Sequence, residues 1–281
     1  MINGPRIIPS ERVNLRGALD EARAAVRAMA AKGIRHKSEI ALTPEPGADL
    51  TGNRGPQGGR RRGGQGGVEV NVQAVRTPAM VAAIDAGVRS LVHLPNKDWT
   101  SREAARKVAS TNSIVLGLIC FGAPIIDRES PLPAQVAFPK DNLPRFRDGK
   151  AWPEAIAGAN RDGAGRAMGT EAGYTIVNAR TIWDASGGTA IGYCTDQNYA
   201  DVVVLEHELK SYSVMFSMPD IFKIIGANTA EYLHMSDQIG TLEAGKFADI
   251  ILLEGNPLEG IQYMLKTKVV LKGGKVVVDK R

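Results

Sequence analysis

Five short apolar runs recur along the chain, most of them followed by a helical pattern, and this alternation constrains the fold more than any other feature. The runs are "EIALTPEPG" (39–47, a strand that runs into a Pro-rich turn), "VEVNVQAV" (68–75), "RSLVHLP" (89–95), "IVLGLICFG" (114–122) and "AIGYCTD" (190–196). Helical spacing of apolar residues marks 10–32, 77–87, 100–112, 172–186, 200–216 and 219–233. In the first helix Leu15, Leu19, Ala22, Val26 and Met29 share a face, with Ser10 as cap and Gly33 as stop. In 172–186 the face is Ile176, Ala179, Ile182 and Trp183. Ser217, Pro219 and Asp220 supply cap, first-turn proline and third-position acid for 219–233. Strands alternating with helices over short links predict a parallel α/β array. Aromatic residues are only 5% of the chain, which favours Ala/Val/Ile/Leu packing of that kind over a β-sandwich.

The end of the chain breaks the rhythm. "ADIILLEG" (248–255) and "KVVLKGGKVVVD" (268–279) are β-rich, and the second reads as a hairpin closed on Gly273-Gly274. Two units are therefore expected: an α/β array over residues 1–240 and a small β unit over 241–281. Two segments interrupt the array. Residues 123–171 hold six prolines and little periodicity, so a long functional or disordered connection is expected there. Residues 48–67 hold eight glycines and no aliphatic face where a helix would fit. An arginine-glycine arm for nucleic acid, a solvated loop, and a segment read out of frame are the three readings of it.

Charge bears on the first of these. The net charge is +5, but "TGNRGPQGGRRRGGQGG" (51–67) contains Arg54, Arg60, Arg61 and Arg62 and no acid, so the remainder is only +1. No general basic surface exists, and nucleic acid is not the expected partner. The longest apolar stretch, "SIVLGLICFGAPII", is too short to cross a bilayer and contains glycines and a proline. The start, "MINGPRIIPSERV", lacks the pattern of a secretory signal. Cys120 and Cys194 offer neither a metal-binding spacing nor a disulfide framework. A cytoplasmic protein is expected, with self-association left open.

In parallel α/β barrels the functional side chains sit at the carboxyl ends of the strands. Here Glu39 lies near the end of the first run, Gln73 ends the second, His93 the third and Asp196 the last. A carboxylate, an amide, an imidazole and a second carboxylate on one mouth could hold a divalent metal such as zinc or manganese. Such a metal would acidify a bound water, and Asp196 could accept its proton and pass it to a leaving group. Each residue also has a structural reading: a hydrogen-bonded strand-end histidine, a helix-capping aspartate. His36 precedes the core of its strand, and His207 and His234 read as structural or surface residues. Cys194 reads as buried packing, close enough to Asp196 for its oxidation to matter.

Three stretches carry a family resemblance: "AGVRSLVHLPNKDW", "IGYCTDQNY" and "GANTAEYLHMSDQIGTLEAGKFADIILLEGNPLEGIQYMLKTKVVLKGGKVV". They resemble the later part of the amidohydrolase superfamily, nearest its imidazolonepropionase and Xaa-Pro dipeptidase-like branch. The resemblance implies a metal-dependent hydrolase of C–N bonds, amide or cyclic amide. It implies a distorted, here partial, (β/α)₈ TIM-like barrel with part of a small β-sandwich, a divalent metal, with zinc the expected ion, and a small-molecule amide substrate. It makes His93 the sixth-strand ligand and Asp196 the eighth-strand acid/base. Glu39 becomes the bridging ligand, with Lys37 as the alternative. Gln73 falls where the family has a fifth-strand histidine. The family's His-x-His occurs nowhere in this chain. The chain thus reads as the C-terminal two-thirds of a longer enzyme, and a fold without activity of its own is the competing expectation.

Overall fold

A computed structural model describes residues 10–11, 24, 27–34, 36–42, 68–117, 164–195, 203–213 and 215–281. Asp196, segment 48–67 and residues 123–163 lie outside the described residues.

Six parallel strands form one sheet: β1 Ser10–Glu11, β2 His36–Leu42, β3 Glu69–Ala74, β4 Ser90–Val92, β5 Ile114–Leu116 and β6 Ile191–Gly192. Their spatial order is their chain order, β1-β2-β3-β4-β5-β6. Right-handed crossovers between parallel neighbours taken in one direction put every connecting helix on the same face. The strands show the consequence. On β3 Val72 and Ala74 are buried and belong to the helix-side core, whereas Glu69, Asn71 and Gln73 alternate onto the other face and are half-buried. One face of the sheet is thus apolar under helices and the other is polar.

Three helices line the apolar face: α1 Thr77–Asp85, α2 Arg102–Ser110 and α3 Ala164–Ala185. Met80, Ala83 and Ile84 of α1 pack with Leu91, Val108 and Val115, and the expected face of α3 (Ile176, Ala179, Ile182, Trp183) is buried among them. Ser101 caps α2 by accepting from the Ala104 amide at 3.1 Å. Helix α4, Val203–Tyr212, follows β6. Beyond it α5, Met218–Lys223, starts on the expected Ser217–Asp220 capping box, then runs into a π-helical turn, Ile224–Asn228, and α6, Thr229–Tyr232.

The tail forms a separate antiparallel sheet of β7 Ile250–Leu253, β8 Thr267–Lys272 and β9 Lys275–Asp279. Gly273 and Gly274 close β8–β9 with φ of 56° and 77°, the left-handed pair that a two-residue hairpin turn requires.

Three local expectations are corrected. Ser10 is not a helix cap: Ser10 and Glu11 pair with His36 and Lys37 as a strand, a tertiary pairing that overrides the local cap signal. Where the rest of that segment is described, at residue 24 and over 27–31, it is the expected helix, with Met29 buried and Gly33 (φ 76°) at its stop. Helix α3 begins at Ala164, inside the segment expected to be a loop, where Gly165, Gly169 and Gly173 dilute the helical pattern. The single helix expected over 219–233 is divided by the π turn.

Candidate active site at the carboxyl ends of the strands

His93 follows the last residue of β4 directly. Its backbone is left-handed, with φ of 63°, and only 8% of the residue is exposed. A β-carbon disfavours this region, so the conformation is imposed by what surrounds it. Imposed backbone of this kind points the imidazole off the strand axis and across the sheet toward β6. There the Cys194 sulfur lies 3.7 Å from His93 Nδ1. The Cys194 thiol also donates to the carbonyl oxygen of Gly117, just past β5. The ends of β4, β5 and β6 therefore converge on one point.

Glycines make that convergence possible. At Gly117 a β-carbon would collide with the Tyr212 hydroxyl, which donates at 3.0 Å to the Gly192 carbonyl. At Gly192 it would stand 2.7 Å from Leu116 Cδ2. Behind β6 the π turn supplies a second set of anchors. The Asn228 side-chain nitrogen donates to the carbonyls of Gly188 and Ile191 at 3.0 and 2.8 Å. The Thr229 hydroxyl accepts from the Tyr193 amide at 2.9 Å. The Asn-Thr pair of "GANTAEY" is thus a clamp on the strand that leads to Cys194 and Asp196.

The other expected site residues are placed as follows. Gln73 is half-buried on the polar face of β3, and its register partners are Val92 on one side and Ala41 on the other. It therefore sits one strand away from His93, at the same end. Glu39 lies in mid-strand, since β2 continues to Leu42. The register between β2 and β3 shifts between Lys37 and Ile40, so Ser38 and Glu39 span an irregularity of the ladder. Asp196 lies outside the described residues, two positions past Cys194. Among the described residues no group of three or more His, Cys, Asp and Glu is arranged to hold a metal ion. His93 and Cys194 provide two donors, whereas zinc takes at least three from protein.

A second polar cluster occupies the amino ends of β2 and β3, and the sequence reading missed it. His36, 4% exposed, stacks between Tyr232 (ring centroids 5.7 Å apart) and His234 (5.8 Å). His234 Nε2 is 3.5 Å from a Glu69 oxygen, and the Tyr232 hydroxyl donates to Asn71 Oδ1 at 2.8 Å. Burial, more than any neighbour, lowers the His36 pKa. The hydrogen bond from His234, ahead of other causes, lowers that of Glu69. The signal was present as the Glu69/Asn71 alternation on β3. Its partners lie more than 160 residues away, beyond the reach of local patterns.

Comparison with known proteins bears on the family and the fold. Residues 154–277 match the amidohydrolase family. No curated protein matches. Among solved structures, a putative prolidase from Bifidobacterium longum superposes with a TM-score of 0.67 at 20% identity, covering 100% of this chain and 68% of its own. An amidohydrolase gives 0.63 at 18% identity, covering 94% of this chain and 59% of its own. A Xaa-Pro dipeptidase with methionine in its active site gives 0.59 at 22% identity, covering 92% and 58%. The chain thus spans about three-fifths of the length of most of these structures. Residues 154–277 are thus similar to the amidohydrolase family, and the fold is similar to that of solved amidohydrolases and prolidases.

Proposed function

We propose that the chain is a hydrolase of the amidohydrolase type, acting on a C–N bond, amide or cyclic amide, of a small molecule. The observation that carries this reading is the convergence of β4, β5 and β6 on His93, with the buried imidazole held at the carboxyl end of a parallel sheet. Brought into this reading, the partial barrel is the six-stranded sheet, with its polar face as the lumen. His93, Asp196 and Glu39 would hold a divalent ion, zinc on the strength of the imidazole, and such an ion makes a bound water acidic. Asp196 takes a proton from the attacking water and delivers it to the departing nitrogen. His93 is held in a fixed, buried position, and Gly117 and Gly192 let Tyr212 and Leu116 pack directly against the strand ends behind it.

A second reading has its own support. The chain contains no His-x-His, and Gln73 stands on the polar face beside β4 as a neutral amide. On that reading the fold is retained without activity. One experiment separates the two. Purified protein is analysed for bound metal and assayed against a panel of dipeptides, N-acyl amino acids and cyclic amides, beside Asp196→Asn and His93→Ala. The hydrolase reading predicts turnover that drops by about 10²–10⁴-fold in Asp196→Asn, the range of a general acid–base role. Turnover unchanged in that variant removes Asp196 from the mechanism. Absence of turnover with and without added zinc or manganese, in a folded sample, favours the inactive fold.

A further inference from the structure

We propose that Asn178, on α3, is the positioning residue for His93. It acts through the loop of residues 94–100 that joins β4 to α2. The importance of His93 to a reaction rests on the reading above; the positioning does not.

Asn178 is fully buried, and its carboxamide spends three hydrogen bonds on the backbone of that one loop. Its nitrogen donates to the carbonyls of Pro95 at 2.8 Å and Asp98 at 2.9 Å. Its oxygen accepts from the Thr100 amide at 2.8 Å. The chemistry selects the residue type. Aspartate lacks both donors, leucine lacks all three groups, and glutamine carries an extra methylene into a site with no room for it. The near half of the loop is tied elsewhere, by the amides of Asn96 and Lys97 donating to the Val75 carbonyl at 3.0 and 3.1 Å. Asp98 and Thr100 are also tied to Thr77 at the start of α1, through the Thr77 amide (2.9 Å) and hydroxyl (3.1 Å).

His93 benefits from this support because a left-handed backbone is costly for a residue that carries a β-carbon and persists where the surroundings hold it. Only Leu94, itself buried, separates it from Pro95, whose ring and peptide plane are stiff. A displacement of the Pro95 carbonyl therefore passes to His93 with little loss. Removing the Asn178 bonds loosens the Pro95 and Asp98 carbonyls, and the shift this allows at Pro95 moves the His93 imidazole relative to Cys194. The Asn178 amide is thus placed to set the ring that faces the strand ends while touching neither that ring nor any substrate.

The test is the nitrogen-15 spectrum of the histidine rings in the full chain, which holds four histidines, His36, His93, His207 and His234. His93→Gln assigns the His93 signals by their loss. Asn178→Asp and Asn178→Ala are compared with Ile221→Val, a core truncation in α5, and each is checked for cooperative thermal unfolding. The expected result is that both Asn178 variants shift or broaden the His93 ring signals while His36 and His234 keep theirs, and that Ile221→Val moves none of them. Folded Asn178 variants with unchanged His93 signals overturn the proposal. So does loss of cooperative unfolding in both Asn178 variants while Ile221→Val folds, because Asn178 would then serve the whole fold. If His93→Ala has no effect on metal binding or turnover, the functional reading fails while the positioning result stands by itself.

Discussion

His36 is a buried titratable ring whose surroundings determine how the molecule responds to acid. Tyr232 and His234 face it from the end of α6, and Glu69 and Asn71 from β3. Burial lowers its pKa below the ordinary 6.5 and outweighs the opposing hydrogen bond of Asn71; the charge of His234 adds to the lowering, while the Leu233 backbone and Glu69 oppose it. Below about pH 6.5 the unfolded chain therefore binds more protons than the folded one. The His36 contribution is fully present above that pH and is lost as pH falls. Glu69, also lowered, acts in a separate window: its contribution holds above its ordinary 4.5 and is lost below it. Melting temperatures measured from pH 8 to 5 should fall on the acid side, and His36→Phe, which keeps the stack and removes the titration, should flatten that fall. An equally steep fall in His36→Phe would transfer the effect to another group. Gln73 gives a second residue-scale prediction. A neutral amide is a poor zinc ligand and an imidazole a good one. Zinc binding by the natural chain should be weak, and Gln73→His should tighten it in a competition titration against a chromophoric chelator. Unchanged affinity in a folded sample would mean that position 73 does not face the site.

At the scale of elements, the segment from Ser217 to Tyr232 shows what local pattern can and cannot reveal. Its start was legible, because Ser217, Pro219 and Asp220 act on their own first turn. The hairpin at Gly273-Gly274 was legible for the same reason. The π turn was not, because it exists to bring Asn228 and Thr229 against β6, and that partner lies about 40 residues earlier. The pairing of Ser10–Glu11 with β2 and the ladder irregularity at Ser38–Glu39 are likewise products of strand pairing. At the site, His93 could be picked out as a strand-end residue, but its left-handed backbone and its approach to Cys194 could not. Those depend on Asn178, Gly117 and Tyr212, which are remote from it in sequence. The clamp on β6 can be tested directly. Asn228→Leu leaves the Gly188 and Ile191 carbonyls without their donor in a buried site, which costs about 1–3 kcal/mol. Urea titration should show a lower midpoint with an unchanged slope. A midpoint equal to that of the natural chain would mean that other groups satisfy those carbonyls.

At the scale of the whole molecule, the two sheets differ in how they manage apolar surface. The six-stranded sheet buries its apolar face under α1–α3, and its opposite face carries polar residues on β3. The three-stranded sheet does not achieve this. Ile251 and Leu252 are adjacent on β7, so they point to opposite faces, yet they are 59% and 50% exposed. Val276 on β9 is 54% exposed, and Leu242 and Leu258 nearby in the chain are 80% and 58% exposed. Aliphatic side chains left in water on both faces of a small sheet favour association, at roughly 25 cal/mol per Å² of apolar area removed from water. Among the described residues no further strand pairs with the outer edges of β7 and β9, which adds to the tendency to associate, although Lys275 and Asp279 blunt the β9 edge. The purified chain should therefore self-associate, and sedimentation velocity over a range of concentrations should show a weight-average mass that rises with concentration. Ile251→Lys with Val276→Lys should shift the distribution toward monomer. Both positions are more than half exposed, so the melting temperature of the monomeric unit should change little. A natural chain that stays monomeric at every concentration would show that this surface does not drive association.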